Sequence, residues 1–345
     1  AAVYEARPSD TPCTRETGRS VNGNPLSNKY RAVEVDGNGD IAQVTDLAAA
    51  RPALSAPARL ELFEDRPDDY PQWEICHEDL QRSTGAVAGP ARISVLRQGP
   101  VLAVLRVERE HEGSRFVQDI LLSAEGKRVE VENSVDWRCP GKLLKAAFSF
   151  NAASDSATYD LQLGVIARPN NSENLYEVPG QQWADLTDRS GAFGAALLKD
   201  CKYGWDKPAD NTLRLTLLHS PVGRDRLDHG LNRFTYSLQP HGGDWRKAGV
   251  AWEAACLNQP LTAVQTVSHA GALGKSVGFL RISDPAVALM ALKQAESGDR
   301  LVLRVRELNG AAARRVSCAF PGSKITQASE LNGIEEQTGP ASSKG

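Results

Sequence analysis

The chain has 345 residues, 41% of them hydrophobic, enough apolar material for one large domain or two ordinary ones. Its 40 basic and 43 acidic residues leave a formal net charge of −3, which excludes the basic footprint of a nucleic-acid or membrane-surface binder. No apolar run approaches the roughly 20 residues needed to cross a bilayer, and Ala1–Pro8 has no basic stretch leading into an apolar one.

Along the chain, residues 7–25 are rich in Arg, Ser, Thr, Pro, Asn and Gly. They read as a linker behind Val3-Tyr4, the end of a preceding strand. From there the dominant period is two. Strands are expected over 30–35, 41–46, 59–63, 92–97, 101–109 and 115–123. Val129, Val131, Val135 and Trp137 then alternate with Glu130, Glu132, Ser134 and Asp136, the mark of a strand with two unlike faces. Strands follow over 143–150, 158–166 and 193–198. Leu213, Leu215 and Leu217 alternate with Arg214 and Thr216; strands over 233–238 and 277–282 come next, and Leu301, Leu303 and Val305 mark the last.

Turn signals separate these runs: Asp36-Gly37-Asn38-Gly39, Gly99-Pro100, Glu125-Gly126, Pro140-Gly141, Pro179-Gly180 and Ser297-Gly298. Gly39 can take the positive φ that a tight hairpin demands. Residues 246–257 read as a short helix. Residues 284–295 are ambiguous, because Val287, Leu289 and Ala291 alternate while Ser283-Asp284-Pro285 resembles a helix start. The tail 332–345 is polar, and no internal repeat is evident. Many strands at short spacing with little helix indicate an all-β protein built as a sandwich of large antiparallel sheets.

Several motifs bear on chemistry. The six cysteines, Cys13, Cys76, Cys139, Cys201, Cys256 and Cys318, have wide, irregular spacings and form no CxxC pair. Free or buried thiols are the better reading, and a thiolate zinc site is not expected. Asp36-x-Asn38-x-Asp40 opens like a calcium loop but has Ile41 and Leu47 where Gly and Glu are required, so a polar hairpin is preferred. Asn170-Asn171-Ser172 fits a glycosylation acceptor but reads best as a loop. GxxxxGK[ST] and HExxH are absent. His219 and His229, flanked by Asp225 and Asp228, could converge on a metal, although an ordinary loop is favoured. Glu64, Asp65, Asp68 and Asp69 cluster beside Tyr70 and Trp73. This is either a solvated acidic loop or a sugar-binding rim, since aromatic faces stack on sugar C–H faces while carboxylates accept hydroxyl hydrogen bonds. Asp200-Cys201-Lys202-Tyr203-Gly204-Trp205, after the apolar run 194–198, is either a strand-end loop or the lining of a site.

Five ordered segments carry a family resemblance. They are Leu60-Glu61-Leu62-Phe63-Glu64-Asp65-Arg66-Pro67; Phe116-Val117-Gln118-Asp119-Ile120 through Val135-Asp136-Trp137 to Lys142-Leu143-Leu144-Lys145; Tyr176-Glu177-Val178-Pro179 with Trp183-Ala184-Asp185-Leu186; Leu198 through Gly204; and Leu217-Leu218-His219-Ser220-Pro221 with Phe234 through Trp245 and Leu257 through Leu261. In this order they resemble the C-terminal β-sandwich portion of glycoside hydrolase family 38 α-mannosidases over roughly residues 1–335. The resemblance implies a galactose-mutarotase-like supersandwich over 26–345, behind a linker at 1–25. It also implies that the nucleophile, the acid/base carboxylate and a divalent, zinc-like metal belong to an upstream catalytic domain. No catalytic or metal residue is therefore expected in this chain. Three departures stand out: His219 replaces a common Arg, the loop 68–73 is poorer in Trp and Asp than in the family, and the chain ends in polar sequence where the family has one more apolar strand. A terminal strand is expected to have been cut away.

The function the resemblance implies is that of an accessory region of a retaining α-mannosidase. Its partners would be a mannose-containing carbohydrate and the catalytic domain of the same polypeptide, with neither nucleic acid nor membrane. The expected sugar rim is Asp65, Tyr70, Trp73, Asp200, Lys202, Tyr203, Arg224 and His229. A free-standing carbohydrate-binding module and an aldose-epimerase-like protein are the alternatives, the latter from fold analogy alone.

Overall fold

The computed structural model describes residues 2–4, 11, 25–224, 226–267, 269–272, 274–311 and 315–341. The linker expected over 7–25, apart from Thr11 and Pro25, lies outside the described residues, as do Cys13, Asp225 and residues 342–345. The chain forms two compact units, Cys13–Leu261 and Ala1–Pro12 with Thr262–Gly345. The sequence reading runs one sandwich over 26–345, whereas the compact units divide between Leu261 and Thr262.

The larger unit is built on two antiparallel sheets. One has ten strands; its path runs Pro25–Ser27, Arg31–Val35, Ile41–Asp46, Leu54–Glu64, Lys142–Phe150, Thr212–Ser220, Gly204–Ala209 and Val178–Pro179. Arg51–Pro52 and Ser83–Ala86 pair off this path. The other has nine, in the order Val165–Pro169, Ser156–Asp160, Trp183–Thr187, Phe193–Lys199, Gly230–Gly242, Val129–Trp137, Ser114–Ser123, Leu102–His111 and Arg92–Gln98. The alternation read from the sequence sorts side chains between faces: Val129, Val131, Val135 and Trp137 are buried in the core, while Glu130, Glu132 and Asp136 are not.

The core lies between the sheets. Leu60, Leu62, Leu144, Phe148, Leu213 and Leu215 of one meet Phe116, Ile120, Val131, Phe234, Tyr236 and Leu238 of the other. Phe148 meets Tyr236 edge to face at 5.7 Å. A polar knot is embedded here. Arg109 donates to Asp40 at 2.7 Å and to Gln118, and Gln118 donates to Asn133 at 2.9 Å and to the Tyr236 hydroxyl at 3.0 Å. Each side chain finds a partner, as burial requires, while Arg109 Nε has none among the described residues.

Several expected boundaries shift. The strand expected over 158–166 is a hairpin, Ser156–Asp160 with Val165–Pro169. Leu161 and Leu163 mimic continued alternation, yet they sit in the turn, Gln162 has φ +67°, and Leu163 is 73% exposed. The helix is Val250–Asn258, starting after Gly249 at φ +68°, and it covers Trp183, Ala196 and Leu198 on the outer side of the nine-stranded sheet. The Asp36–Asp40 segment is a hairpin turn: Asp36 accepts the amides of Asn38 and Asp40, and Gly39 has φ +84°.

Within the smaller unit, Val287–Gln294 pairs with Leu301–Glu307, so the ambiguous 284–295 stretch is strand. Asp284 accepts the Ala286 amide and closes a turn there, and no helix follows. Only Arg281–Ile282 of the strand expected over 277–282 forms; it pairs with Cys318–Ala319. Ser329–Leu331 pairs with Gln337–Pro340 within the polar tail.

Candidate functional site

The register brings the expected rim loops to one end of the sandwich. Leu54–Glu64 and Thr212–Ser220 end beside Lys142, because Lys142 opposes both Glu64 and Ser220. In the other sheet Val129–Trp137 ends where Gly230–Gly242 begins, with Trp137 opposite Gly230. The Trp137 indole donates to the Ser220 hydroxyl at 2.9 Å and ties the two sheets there. Phe193–Lys199 ends against Tyr236 of the same strand. Loops 65–82 and 221–229 therefore leave the sandwich at this end, while loop 200–203 leaves in the same direction from beside mid-strand.

Asp65 lies beneath the rim rather than on it, 1% exposed. Its amide donates to the Gly141 carbonyl at 3.2 Å and its carbonyl accepts the Val222 amide at 2.9 Å. His219 Nδ1 stands 3.2 Å from Asp65 Oδ2, out of line for a straight hydrogen bond, and neither Asp65 oxygen has another partner among the described residues. Burial lifts the Asp65 carboxyl above its ordinary value, opposed by His219 and helped by Asp79 and Asp228. Burial works against a charged His219, but Asp65, Asp228 and Glu177 outweigh it and raise the imidazole. Asp228 accepts the His219 amide at 3.0 Å, which folds the 221–229 loop back on its strand. His229 is half-buried, with Nε2 enclosed and without a partner among the described residues, and Arg224 is exposed. A cleft of about 240 Å³ opens beside these groups, lined by Glu64, Arg66, Pro140, Gly141, Lys142 and Val222.

Farther along the outer face of the ten-stranded sheet runs a buried charged seam. The Lys145 ammonium, fully enclosed, donates to Glu177, to Asp206 at 3.2 Å and to Thr216 at 2.7 Å. Arg214 Nε reaches both Asp206 oxygens at 3.0 Å, and its guanidinium lies 4.6 Å from the Phe63 ring centre. Glu177 holds φ +30°, strained for a non-glycine residue, between Tyr176 and the strand Val178–Pro179. Tyr176 packs over Phe63, Leu80 and Leu143, with the His77 ring 5.2 Å from its own.

The remaining rim residues form two groups. Tyr70 and Trp73 stack at 5.9 Å and 24°, 64% and 78% exposed, on a turn in which Tyr70 has φ +47° and its carbonyl accepts the Trp73 and Glu74 amides. Asp200 is bound to Thr235 twice: its amide donates to the Thr235 carbonyl, and its carboxylate accepts the Thr235 amide at 2.9 Å. Lys202 covers Phe234, and Lys199, missed in the sequence as a strand residue, places its ammonium 3.4 Å from the centre of the Tyr203 ring. Burial pulls Lys199 down to about 8, against Cys201, Asp200 and Asp160.

Among the described residues no three His, Cys, Asp or Glu side chains gather as a metal site. His219 joins Asp65 and Asp228 instead of His229. The Asn170 amide donates to Asp210 at 2.7 Å and its oxygen accepts from Lys207 at 2.5 Å, so this side chain is part of the structure. The described cysteines are free thiols.

Comparison with known proteins gives these loops a family. The description "Glycosyl hydrolases family 38 C-terminal domain" matches residues 26–226, and "Glycosyl hydrolases family 38 C-terminal beta sandwich domain" matches 286–345. The chain belongs to glycosyl hydrolase family 38. Alpha-mannosidase 2C1 of Homo sapiens is 32% identical over 95% of the chain, and alpha-mannosidase G of Dictyostelium discoideum 30% over 94%. The family 38 chain spans 32% and 31% of those two relatives, about a third of each. The crystal structure of an α-mannosidase from Enterococcus faecalis V583 superposes with a TM-score of 0.76 at 18% identity, over 91% of this chain and 40% of that one, which shows a shared fold.

Proposed function

We propose that this chain is the C-terminal region of an α-mannosidase that hydrolyses terminal α-mannosides with retention, and that it supports the catalytic domain and lines part of its sugar site. The observation that carries this reading is the ordered match of both family 38 C-terminal descriptions within one chain. The meeting of loops 65–82 and 221–229 at one sandwich end adds to it. In such an enzyme one carboxylate attacks the anomeric carbon and a second protonates the leaving oxygen. The catalytic domain of the same polypeptide supplies both, together with a divalent metal that steadies sugar hydroxyls. This chain contributes hydrogen bonds and ring faces from Tyr70, Trp73, Lys202, Tyr203, Arg224 and His229, with Asp65 and Asp200 as supports beneath them.

The test is hydrolysis of an aryl α-mannoside by the parent polypeptide carrying Tyr203→Ala, which should lose roughly tenfold in kcat/KM, about 1.4 kcal/mol of transition-state stabilisation. An unchanged rate removes Tyr203 from the site. Turnover by residues 1–345 alone overturns the division of labour.

A second reading, a carbohydrate-binding module, is favoured by the open Tyr70–Trp73 pair. It requires affinity for mannosides in calorimetry with this chain, lost in Trp73→Ala.

A further inference from the structure

The Asp65–His219 pair is built like a device for presenting one imidazole nitrogen. The Asp65 backbone is fixed, its amide and carbonyl bound to Gly141 and Val222, and its side chain is enclosed. The other acids near the pair are engaged. Asp79 accepts the Arg66 amide at 2.6 Å and pairs with Arg82, Asp228 accepts the His219 amide, and Glu177 takes Lys145 and Thr216. Among the described residues His219 Nδ1, 3.2 Å away though off the straight hydrogen-bond line, is the one close partner of the Asp65 carboxylate, and a proton on that nitrogen is what the enclosed carboxylate favours. Nδ1 is itself enclosed, so the 18% exposure of the His219 side chain lies on the rest of the ring. With Nδ1 protonated toward Asp65, Nε2 offers a lone pair when the ring is neutral and an N–H when it is charged.

We propose that His219 Nε2 is a ligand-facing group of this end of the sandwich that accepts a hydrogen bond from a sugar hydroxyl, with Asp65 as its positioning residue. This rests on the reading of the end as part of an α-mannoside site. Protonation reverses the polarity of Nε2, so ligand affinity should rise as the imidazolium loses its proton. Asp65, Asp228 and Glu177 place that change above the ordinary histidine value of 6.5.

The experiment is ¹⁵N-resolved imidazole NMR of the whole chain with methyl α-mannopyranoside as probe. His219 should show the Nδ1–H tautomer and titrate above 6.5. Added mannoside should move its Nε2 signal and lower its apparent pKa. Asp65→Asn should mix the tautomers and weaken the mannoside about tenfold. His219→Gln, which keeps a donor and an acceptor but cannot titrate, should bind with no pH dependence in this range, and it tests the idea even if Asp65→Asn fails to fold. If mannoside moves Tyr203 or Trp73 signals but leaves Nε2 in place, His219 is not ligand-facing, while the sugar-site reading stands. If Nε2 moves but the tautomer survives in Asp65→Asn, the role of Asp65 is wrong. If no signal at this end responds, the inference falls together with the reading beneath it.

Discussion

Replacing Asp206 by Asn should expose how much the charged seam contributes. In the native protein Asp206 is fully enclosed between Lys145 at 3.2 Å, Arg214 Nε at 3.0 Å and the Asn171 amide at 3.0 Å. An asparagine keeps the shape but leaves two buried cations short of a counter-charge. Among the described residues Lys145 retains Glu177 and Thr216, and Arg214 retains Glu61, at 3.8 Å, and the Phe63 ring. Removing one member of a buried ion group costs about 3–5 kcal/mol. At about 2–4 °C per kcal/mol for a unit of this size, the melting temperature should fall by about 6–20 °C. Burial alone would lift the Asp206 carboxyl, but Lys145 and Arg214 outweigh it and hold it below 3.8. A lowered folded-state value means stability present above the unfolded carboxylate pKa and lost as pH falls through the folded one. The wild type should therefore lose stability below about pH 4 more steeply than the variant. Denaturant titration at pH 7 and pH 3 measures both. A loss under 1 kcal/mol with identical acid limbs would refute the seam as a buried, mutually dependent group. Replacing Asp206 by Leu, Lys145 and Arg214 by Met and Glu177 by Gln should restore most of the loss, since no enclosed charge of the seam is then left unpaired.

Three further outcomes are expected. Lys207→Met should cost about 3 kcal/mol in denaturant titration, because the Lys207 ammonium holds the Ser154 and Ala209 carbonyls and the Asn170 side chain, all left without their donor. Gly194→Ala should lose about 1–3 kcal/mol or fail to fold, since a Cβ there meets the Leu186 carbonyl and Thr187 Cα at 2.9 Å; Gly164→Ala, with open space around it, should be neutral in the same thermal melt. Alkylation at pH 8, mapped by peptide mass, should label exposed Cys256 well before Cys201, which is also exposed but whose thiol burial and Asp200 push up to about 11; buried Cys139 should stay protected.

The scaffold was legible because two-fold alternation is a local signal. Val129–Trp137 announces both its conformation and its buried face, and Thr212–Ser220 its conformation, although Arg214 is buried beside the expected leucines. Gly204–Ala209 was not legible, because Asp206 and Lys207 look like loop residues until partners from distant strands appear. The Asp65–His219 pair joins residues 154 positions apart through strand order, which no spacing rule encodes. Tyr70 and Trp73 could be marked as a rim from composition, since exposed aromatics beside acids are unusual; Lys199 could not, because its burial depends on Tyr203 folding over it.

The passage of the backbone from one sheet to the other at residues 138–141 has a mechanical consequence. Covalent crossover and the Trp137–Ser220 bond coincide there, so that end acts as a clamped margin. Groups mounted on the clamp keep their spacing through thermal motion of the layers. Whatever rests on them meets a surface whose give comes from the loops alone.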